Sequence, residues 1–112
     1  MTIIDLYKKG NYYCGFKSCG HAEGEFEKIV CSSISTLTQA FYFTLINKLG
    51  VEESEIKDVQ GDGLLKIEIL NSNIYRRNDI QTCFEFMIMG IELINEAYPN
   101  YLTLKDVEVQ ND

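Results

Sequence analysis

The spacing of apolar residues between positions 27 and 49 constrains the fold of this chain more than any other feature. Apolar side chains recur there at intervals of three and four, which predicts a long amphipathic helix with one face in a core. This stripe consists of Val30, Ile34, Leu37, Phe41, Leu45 and Leu49. Gly50 follows and is predicted to end the helix, because glycine adopts a positive φ without strain. Such a helix must pack against a second layer.

The same spacing predicts a second helix over residues 78–98. Its apolar face consists of Ile80, Phe84, Met87, Ile91 and Ile94. Asn78 is predicted to be the N-cap, since its side chain can accept a hydrogen bond from a backbone N–H of the first turn. Pro99 lies just beyond the predicted end, where it cannot continue the helix.

The remaining segments have the alternation or composition of β-strands. They cover residues 2–7, 12–19, 56–60, 64–70 and 101–109. A turn joins the first two strands into a hairpin, and Gly61, Asp62 and Gly63 join the third and fourth. The order β-β-α-β-β-α-β predicts an α+β fold of two layers, with a mixed or antiparallel sheet of about five strands and both helices on one face. A chain of 112 residues is expected to form one domain, residues 1–112.

Charge and hydropathy exclude several classes of partner. The chain carries 17 acidic and 10 basic side chains, a formal net charge of −7, so we expect it to repel nucleic acid and to favour basic polypeptides. The N-terminus lacks the features of a signal peptide, and no window approaches the apolar run of about 18 residues that a membrane span needs. We therefore expect a cytoplasmic protein, without membrane contact, whose four cysteines are reduced.

The single histidine and one cysteine could form a catalytic pair. His21 follows the second predicted strand, and Cys31 lies at the start of the first predicted helix. The end of a strand and the start of the next helix lie close together in such a fold, so the loop between them could bring imidazole and thiol together. An adjacent imidazolium favours the thiolate, which is the nucleophilic form of cysteine. Ser35 follows Cys31 by one helical turn; it could hydrogen-bond either group, or it is only the less apolar edge of a buried helix.

The segment that contains these residues resembles a known family. The sequence Gly20-His21-Ala22, a short loop with glycine and glutamate, and the sequence IVCSSIS over residues 29–35 resemble the signature of the ribosomal-processing cysteine protease family, Prp. The length, the order of elements and the Gly-Asp-Gly hairpin are also similar to that family. Its members are small bacterial α+β homodimers that remove an N-terminal extension from the large-subunit ribosomal protein number twenty-seven.

The resemblance implies a role for each residue of the segment. His21 would be the general base, Cys31 the nucleophile of an acyl transfer, and Ser35 a supporting hydroxyl, with no metal or cofactor. The loop would contact substrate, a basic ribosomal protein precursor, through Gly20, Ala22, Gly24, Glu25 and Glu27. Backbone N–H groups near Cys31 would form the oxyanion hole. Gly24 adds backbone freedom, so we expect the loop to be mobile and to order on the substrate.

The sequence does not identify which acidic residue, if any, orients His21. The family commonly has an aspartate three residues before the cysteine, and this chain has Lys28 at that position. Glu25 and Glu27 are the candidates for an acidic residue that orients His21, and a plain Cys/His dyad is the alternative.

Two other interpretations compete with the protease. Three cysteines and the histidine are ligand types of a structural zinc site. However, Cys14 and Cys19 point to opposite faces of a regular strand, and no C-x-x-C pair is present. The second alternative is a non-catalytic acidic module that binds a basic ribosomal protein or a phage capsid or scaffold protein, with Cys31 inert.

Overall fold

A computed structural model describes residues 1–109, so the last three residues of the predicted domain lie outside it. Within residues 1–109, five strands and three helices follow one another, with a 3₁₀ turn at Glu53–Glu55. In chain order they are β1 (Thr2–Lys9), β2 (Tyr12–Cys19), α1 (Glu27–Asn47), β3 (Ile56–Gly61), β4 (Leu64–Ile69), α2 (Ser72–Tyr75), α3 (Asn78–Ala97) and β5 (Leu102–Glu108). The five predicted strands and both predicted helices are present, each with boundaries within two residues of the prediction.

The strands form one mixed sheet in the order β3-β4-β2-β1-β5. β1 pairs with β2, β2 with β4, and β4 with β3, all antiparallel, whereas β5 pairs with β1 in parallel. The pairing of β2 with β4 places Cys19 opposite Leu64. The end of β2 and the turn of the β3–β4 hairpin therefore meet at the same end of the sheet.

The core lies between the sheet and the two long helices. Phe16 of β2, Phe41 of α1 and Phe84 of α3 are all buried and form one aromatic cluster. The ring centroids of Phe41 and Phe84 are 4.5 Å apart, and those of Phe16 and Phe41 are 5.8 Å apart. Both helices thus reach the same face of the sheet, and the predicted two-layer α+β architecture is confirmed.

The start of α3 differs from the prediction. The N-cap is Arg77, with extended φ −61° and ψ 139°, and Asn78 is the first helical residue and not the cap. The physical reason is the short helix α2, which the sequence analysis did not predict and which ends just before Arg77. The first turn is instead stabilised by Asp79, whose carboxylate accepts from its neighbour Ile80 N–H at 2.8 Å and from the Arg77 guanidinium at 2.6 Å.

The sequence led us to expect no segment long and apolar enough to span a membrane, and α1 differs from that expectation. Residues Glu27–Asn47 form a helix that is long and apolar enough, by those two criteria alone, to cross a membrane. A core helix of a soluble protein meets the same criteria. Here Val30, Ile34 and Leu45 are buried, so the apolar face of α1 belongs to the core of the domain.

Candidate active site

His21 is held at the end of β2 by contacts with the β3–β4 hairpin. The N–H of Gly20 donates to the carbonyl of Gly63 at 2.8 Å, which ties the start of the loop to the hairpin turn. The imidazole lies over Gly63, since a Cβ added there would be 2.8 Å from His21 Nε2. Ala22, the next residue, is fully buried. The exposed ring is therefore fixed between a buried neighbour and a glycine that leaves room for it.

Cys31 lies on α1, one turn after the helix start at Glu27, and is half-buried. Phe26 occupies the N-cap and makes no side-chain capping bond. The thiol therefore lies beyond the free N–H groups of the first turn, where the influence of the helix dipole has largely faded.

His21 and Cys31 line the same open cleft, which has a volume of about 270 Å³. Its walls are the end of β2, the first turns of α1 and the hairpin turn; they include Thr2, Ser18, Ile34, Ser35, Thr38, Gly63, Leu64 and Leu65. Within residues 1–109 no hydrogen bond joins the imidazole to the thiol. In sites without a ligand such bonds are often long, and they shorten when substrate binds.

The cleft continues into a second groove between α1 and the β3–β4 hairpin. This groove has a volume of about 430 Å³ and shares Ser35, Thr38, Leu64 and Leu65 with the first. Beyond these shared residues it is lined by Gln39, Tyr42, Phe43, Gln60, Gly61 and Ile67. The two adjoining grooves make up a channel beside His21 and Cys31 whose lining is partly polar and partly apolar.

Ser35 lines the cleft beside Cys31, but its hydroxyl has another partner. The side-chain amide of Gln39 donates to Ser35 Oγ at 2.7 Å. The predicted bond from Ser35 to the sulfur or imidazole is not formed among the described residues, although the hydroxyl proton stays available to donate. Thr38 is buried, and its hydroxyl donates to the Ile34 carbonyl at 2.9 Å. This hydroxyl is therefore hydrogen-bonded within α1.

The loop between β2 and α1 is anchored by an aromatic residue. Tyr101 accepts a hydrogen bond from Phe26 N–H at 3.1 Å and packs on Gly24, where an added Cβ would be 2.9 Å from the Tyr101 hydroxyl. Gly24 has a φ of +121°, as its predicted backbone freedom allows. These contacts tie the loop to the start of β5, so any motion on substrate binding would have to break them.

The two acidic candidates are not brought to the histidine. Glu25 and Glu27 are exposed and do not line the cleft. The acidic atom that does lie near the ring is Asp62 Oδ1 of the hairpin turn, 3.5 Å from His21 Nε2. The turn Gly61-Asp62-Gly63 is predicted from the sequence. Its position beside His21 is not, because that position depends on the pairing of β2 with β4.

The other cysteines are separated from the cleft. Cys14 is fully buried, and burial raises the pKa of its thiol to about 11. Burial also raises the pKa of Cys83 on α3, with a smaller contribution from Asp79. Cys19 is exposed at the end of β2. Within residues 1–109, no group of three or more histidine, cysteine or acidic side chains is placed to hold a metal ion.

Comparison with known proteins gives one family and several solved structures. Residues 1–103 match the family described as cysteine protease Prp. A search of curated protein sequences gives no significant match.

The solved structures cover nearly the whole chain. The essential ribosomal processing protease Prp from Staphylococcus aureus, with a covalently linked product peptide, has a TM-score of 0.78 at 18% identity and covers 96% of this chain and 100% of its own. The complex of that protease with a substrate peptide has a TM-score of 0.79 at 20% identity, with coverage of 96% and 100%. SMU.848 from Streptococcus mutans has a TM-score of 0.77 at 23% identity, with coverage of 97% and 99%. These structures share the fold described above.

Proposed function

The chain belongs to the Prp family of cysteine proteases, and we propose that it removes the N-terminal extension of a large-subunit ribosomal protein, number twenty-seven, by Cys/His acyl transfer. The observation that carries this proposal is the shared cleft of His21 and Cys31. The resemblance in residues 20–35 implied the same family. The non-catalytic binding module considered from the sequence is not proposed, because the family is one of proteases.

The proposed reaction uses the two side chains that face the cleft. Cys31 Sγ attacks the carbonyl carbon of the scissile peptide bond while His21 takes the thiol proton. His21 then gives a proton to the leaving amine, and water releases the acyl group from the sulfur with the imidazole again acting as base. Ser35, with its hydroxyl proton free, is proposed to donate to a group in the cleft. Backbone N–H groups at the start of α1 are the proposed oxyanion donors.

The channel beside the cleft supports an extended peptide as substrate. Its accessible apolar lining, which includes Tyr42, Phe43 and Leu65, suits large apolar residues on one side of the scissile bond. Glu23 and Glu25 on the adjoining loop and Glu27 at the start of α1 are exposed and suit a basic segment. The solved relative from Staphylococcus aureus is a ribosomal processing protease with a bound peptide. We propose the same kind of substrate here, in the cytoplasm.

A second copy of the chain is proposed to pack on the outer face of the two long helices. Phe86, which is 77% exposed, Met89 and Leu93 project from α3 at helical spacing. Beside them lies an apolar groove of about 280 Å³ between α1 and α3, lined in part by Leu37 and Ala40. An isologous contact needs a projection and a recess on one surface, because each copy supplies both. Phe86→Glu should therefore reduce the dimer fraction measured by sedimentation, and a wild-type chain that stays monomeric at high concentration would contradict the homodimer.

Cleavage of a designed peptide tests the proposed protease. The peptide carries a large apolar segment followed by a lysine-rich one, and its products are identified by mass spectrometry. Cys31→Ala should lower cleavage by about a thousandfold or more while the fold is kept, and Cys31→Ser should be nearly as inactive. Ser35→Ala should slow the reaction less than either. Cys19→Ala is the matched control, because this exposed thiol does not line the cleft. Cleavage that survives in Cys31→Ala would overturn the assignment.

A further inference from the structure

An acidic side chain of the β3–β4 hairpin lies beside the proposed general base. The distance from Asp62 Oδ1 to His21 Nε2 is 3.5 Å. Among the described residues, Asp62 is the acidic side chain that forms an ion-pair contact with this imidazole. Lys28 has the wrong charge for this role, and among the described residues the exposed glutamates Glu23, Glu25 and Glu27 make no ion-pair contact with His21.

The backbone holds Asp62 in this position. Gly20 and Gly63 are joined by a backbone hydrogen bond of 2.8 Å, so the residue before His21 and the residue after Asp62 are directly linked. The pairing of Cys19 with Leu64 continues this link into the sheet. The sheet register therefore places the hairpin turn beside His21, and two exposed side chains complete the 3.5 Å approach.

We propose that Asp62 is a positioning residue that sets the tautomer and orientation of His21; this inference rests on the proposed function. The 3.5 Å contact is not a hydrogen bond in this structure; in the proposed role it shortens to one, in which the carboxylate accepts the N–H of Nε2 and favours the tautomer with Nδ1 unprotonated. Nδ1 is then the nitrogen that takes the thiol proton of Cys31, and the carboxylate stabilises the imidazolium that results. The side chain of His21 is 63% exposed and that of Asp62 is fully exposed. The expected effect on kcat is therefore about tenfold, smaller than for a buried triad.

A spectroscopic test is available because His21 is the only histidine. In protein labelled with ¹⁵N-histidine and produced without a histidine tag, the ring nitrogen signals report this residue alone. At about pH 8, where an ordinary imidazole is neutral, wild type should show the Nε2–H tautomer almost exclusively. Asp62→Asn should move the signals toward the tautomer mixture of a free imidazole, and Asp62→Glu should partly restore the wild-type pattern. Identical ring signals in wild type and Asp62→Asn would overturn the proposal.

Peptide cleavage gives the second readout. Asp62→Asn should lower kcat about tenfold with KM changed by less than about twofold, because the carboxylate acts through the base and does not contact substrate. Asp58→Asn is the matched control, since it removes the same charge from the same hairpin at a residue that contacts Gln60 instead of His21. An unchanged kcat in Asp62→Asn, or an equal loss in Asp58→Asn, would overturn the role. If wild type cleaves no peptide, the proposed protease fails, but the nitrogen spectrum still decides whether Asp62 orients the ring.

Discussion

The four thiols of the domain differ in their access to water and to a base. Cys14 is fully buried and Cys83 is half-buried, and in both burial raises the thiol pKa, for Cys14 to about 11 from an ordinary 9.0. Cys19 is exposed and Cys31 is half-buried, and of the four thiols Cys31 alone shares a cleft with the imidazole. Because the thiolate is the form that reacts with alkylating agents, these differences predict an order of reactivity.

Alkylation with iodoacetamide at about pH 7.5, followed residue by residue by mass spectrometry, should reveal that order. Cys31 should react fastest, and Cys14 should react at least about a hundredfold more slowly than an ordinary free thiol, since two pKa units reduce the thiolate fraction about a hundredfold. His21→Ala should slow the alkylation of Cys31 and leave that of Cys19 unchanged. If Cys31 reacts at the same rate with and without His21, the proposed dyad is wrong.

A single glycine determines whether the imidazole can occupy its observed position. Gly63 has a φ of +66°, and a Cβ there would be 2.8 Å from His21 Nε2. Gly63→Ala should displace the ring and lower kcat/KM at least about tenfold, in addition to a backbone cost of about 1 kcal/mol. Gly10→Ala is the matched control, because Gly10 has a φ of +63° and no atom within 4 Å of the added Cβ. Both variants should lose similar stability in urea unfolding, and only Gly63→Ala should lose activity; an equal loss of activity would contradict the steric explanation.

At the level of whole elements, the aromatic cluster connects the two helices to the sheet. Phe84 of α3 contacts Phe41 of α1, and its ring centroid is 6.0 Å from that of Tyr13 on β2. Because all three elements meet at Phe84, its removal leaves a cavity that no single side chain can fill. The position of α1, and hence of Cys31, depends on this packing.

Phe84→Ala should lower the free energy of unfolding by about 3–5 kcal/mol, from lost burial and the cavity that remains. Phe43→Ala is the matched control on α1, because Phe43 is 53% exposed and its truncation should cost less than about 1 kcal/mol. Chemical denaturation followed by circular dichroism measures both. A cost for Phe84→Ala no greater than that for Phe43→Ala would show that the cluster does not determine stability.

Most elements could be predicted from the sequence because their signals are local. The stripe on α1 and the alternation in β1 depend on residues within one turn or one strand, and both elements lie where those patterns predict. The short helix α2 contains four residues and is too short for an apolar period; its one local signal is the N-cap Asn71, whose side chain accepts from Asn73 N–H at 2.9 Å. Its presence also moved the cap of α3 from Asn78 to Arg77.

The composition of the cleft was only partly predictable for a related reason. His21 and Cys31 are separated by a short loop, and adjacency in sequence was enough to expect both in one site. Asp62 and Tyr101 reach the same region through strand pairing and through the return of β5 beside β1, which are contacts between residues far apart in the chain. No periodicity in a single sequence specifies such pairings, so these two partners became visible only in the structure.

At the scale of the whole molecule, the net charge of −7 sets the long-range attraction for a substrate. Cleavage of a lysine-rich peptide should become weaker as salt rises from about 50 to 500 mM, with KM increasing more than kcat falls, because screening acts on encounter and binding. A peptide with the same apolar segment and neutral residues in place of the lysines should show little salt dependence. Equal salt dependence for the two peptides would contradict electrostatic steering.

The stability of the whole domain should fall at alkaline pH. Burial raises the pKa of Cys14, and it also raises the pKa of Tyr7 and of Tyr13, with nearby acidic side chains contributing to both tyrosines. Above about pH 9 the unfolded chain loses these protons while the folded chain keeps them, so the folded state binds more protons and stability declines with rising pH. The contribution of Cys14 is fully present below its ordinary pKa of 9.0 and is lost as the pH approaches about 11.

Urea unfolding between about pH 8 and pH 10.5 should separate the thiol from the tyrosines. A shift from 9.0 to about 11 corresponds to about 2–3 kcal/mol when titration is complete, and part of it should be lost within this range. Cys14→Ala removes that titration, so its stability should decline less steeply than that of wild type and the two curves should converge as pH rises. Cys19→Ala, which removes an exposed thiol, should follow wild type throughout. Parallel curves for wild type and Cys14→Ala would show that the buried thiol titrates alike in the folded and unfolded chain, and would assign the alkaline loss to the tyrosines.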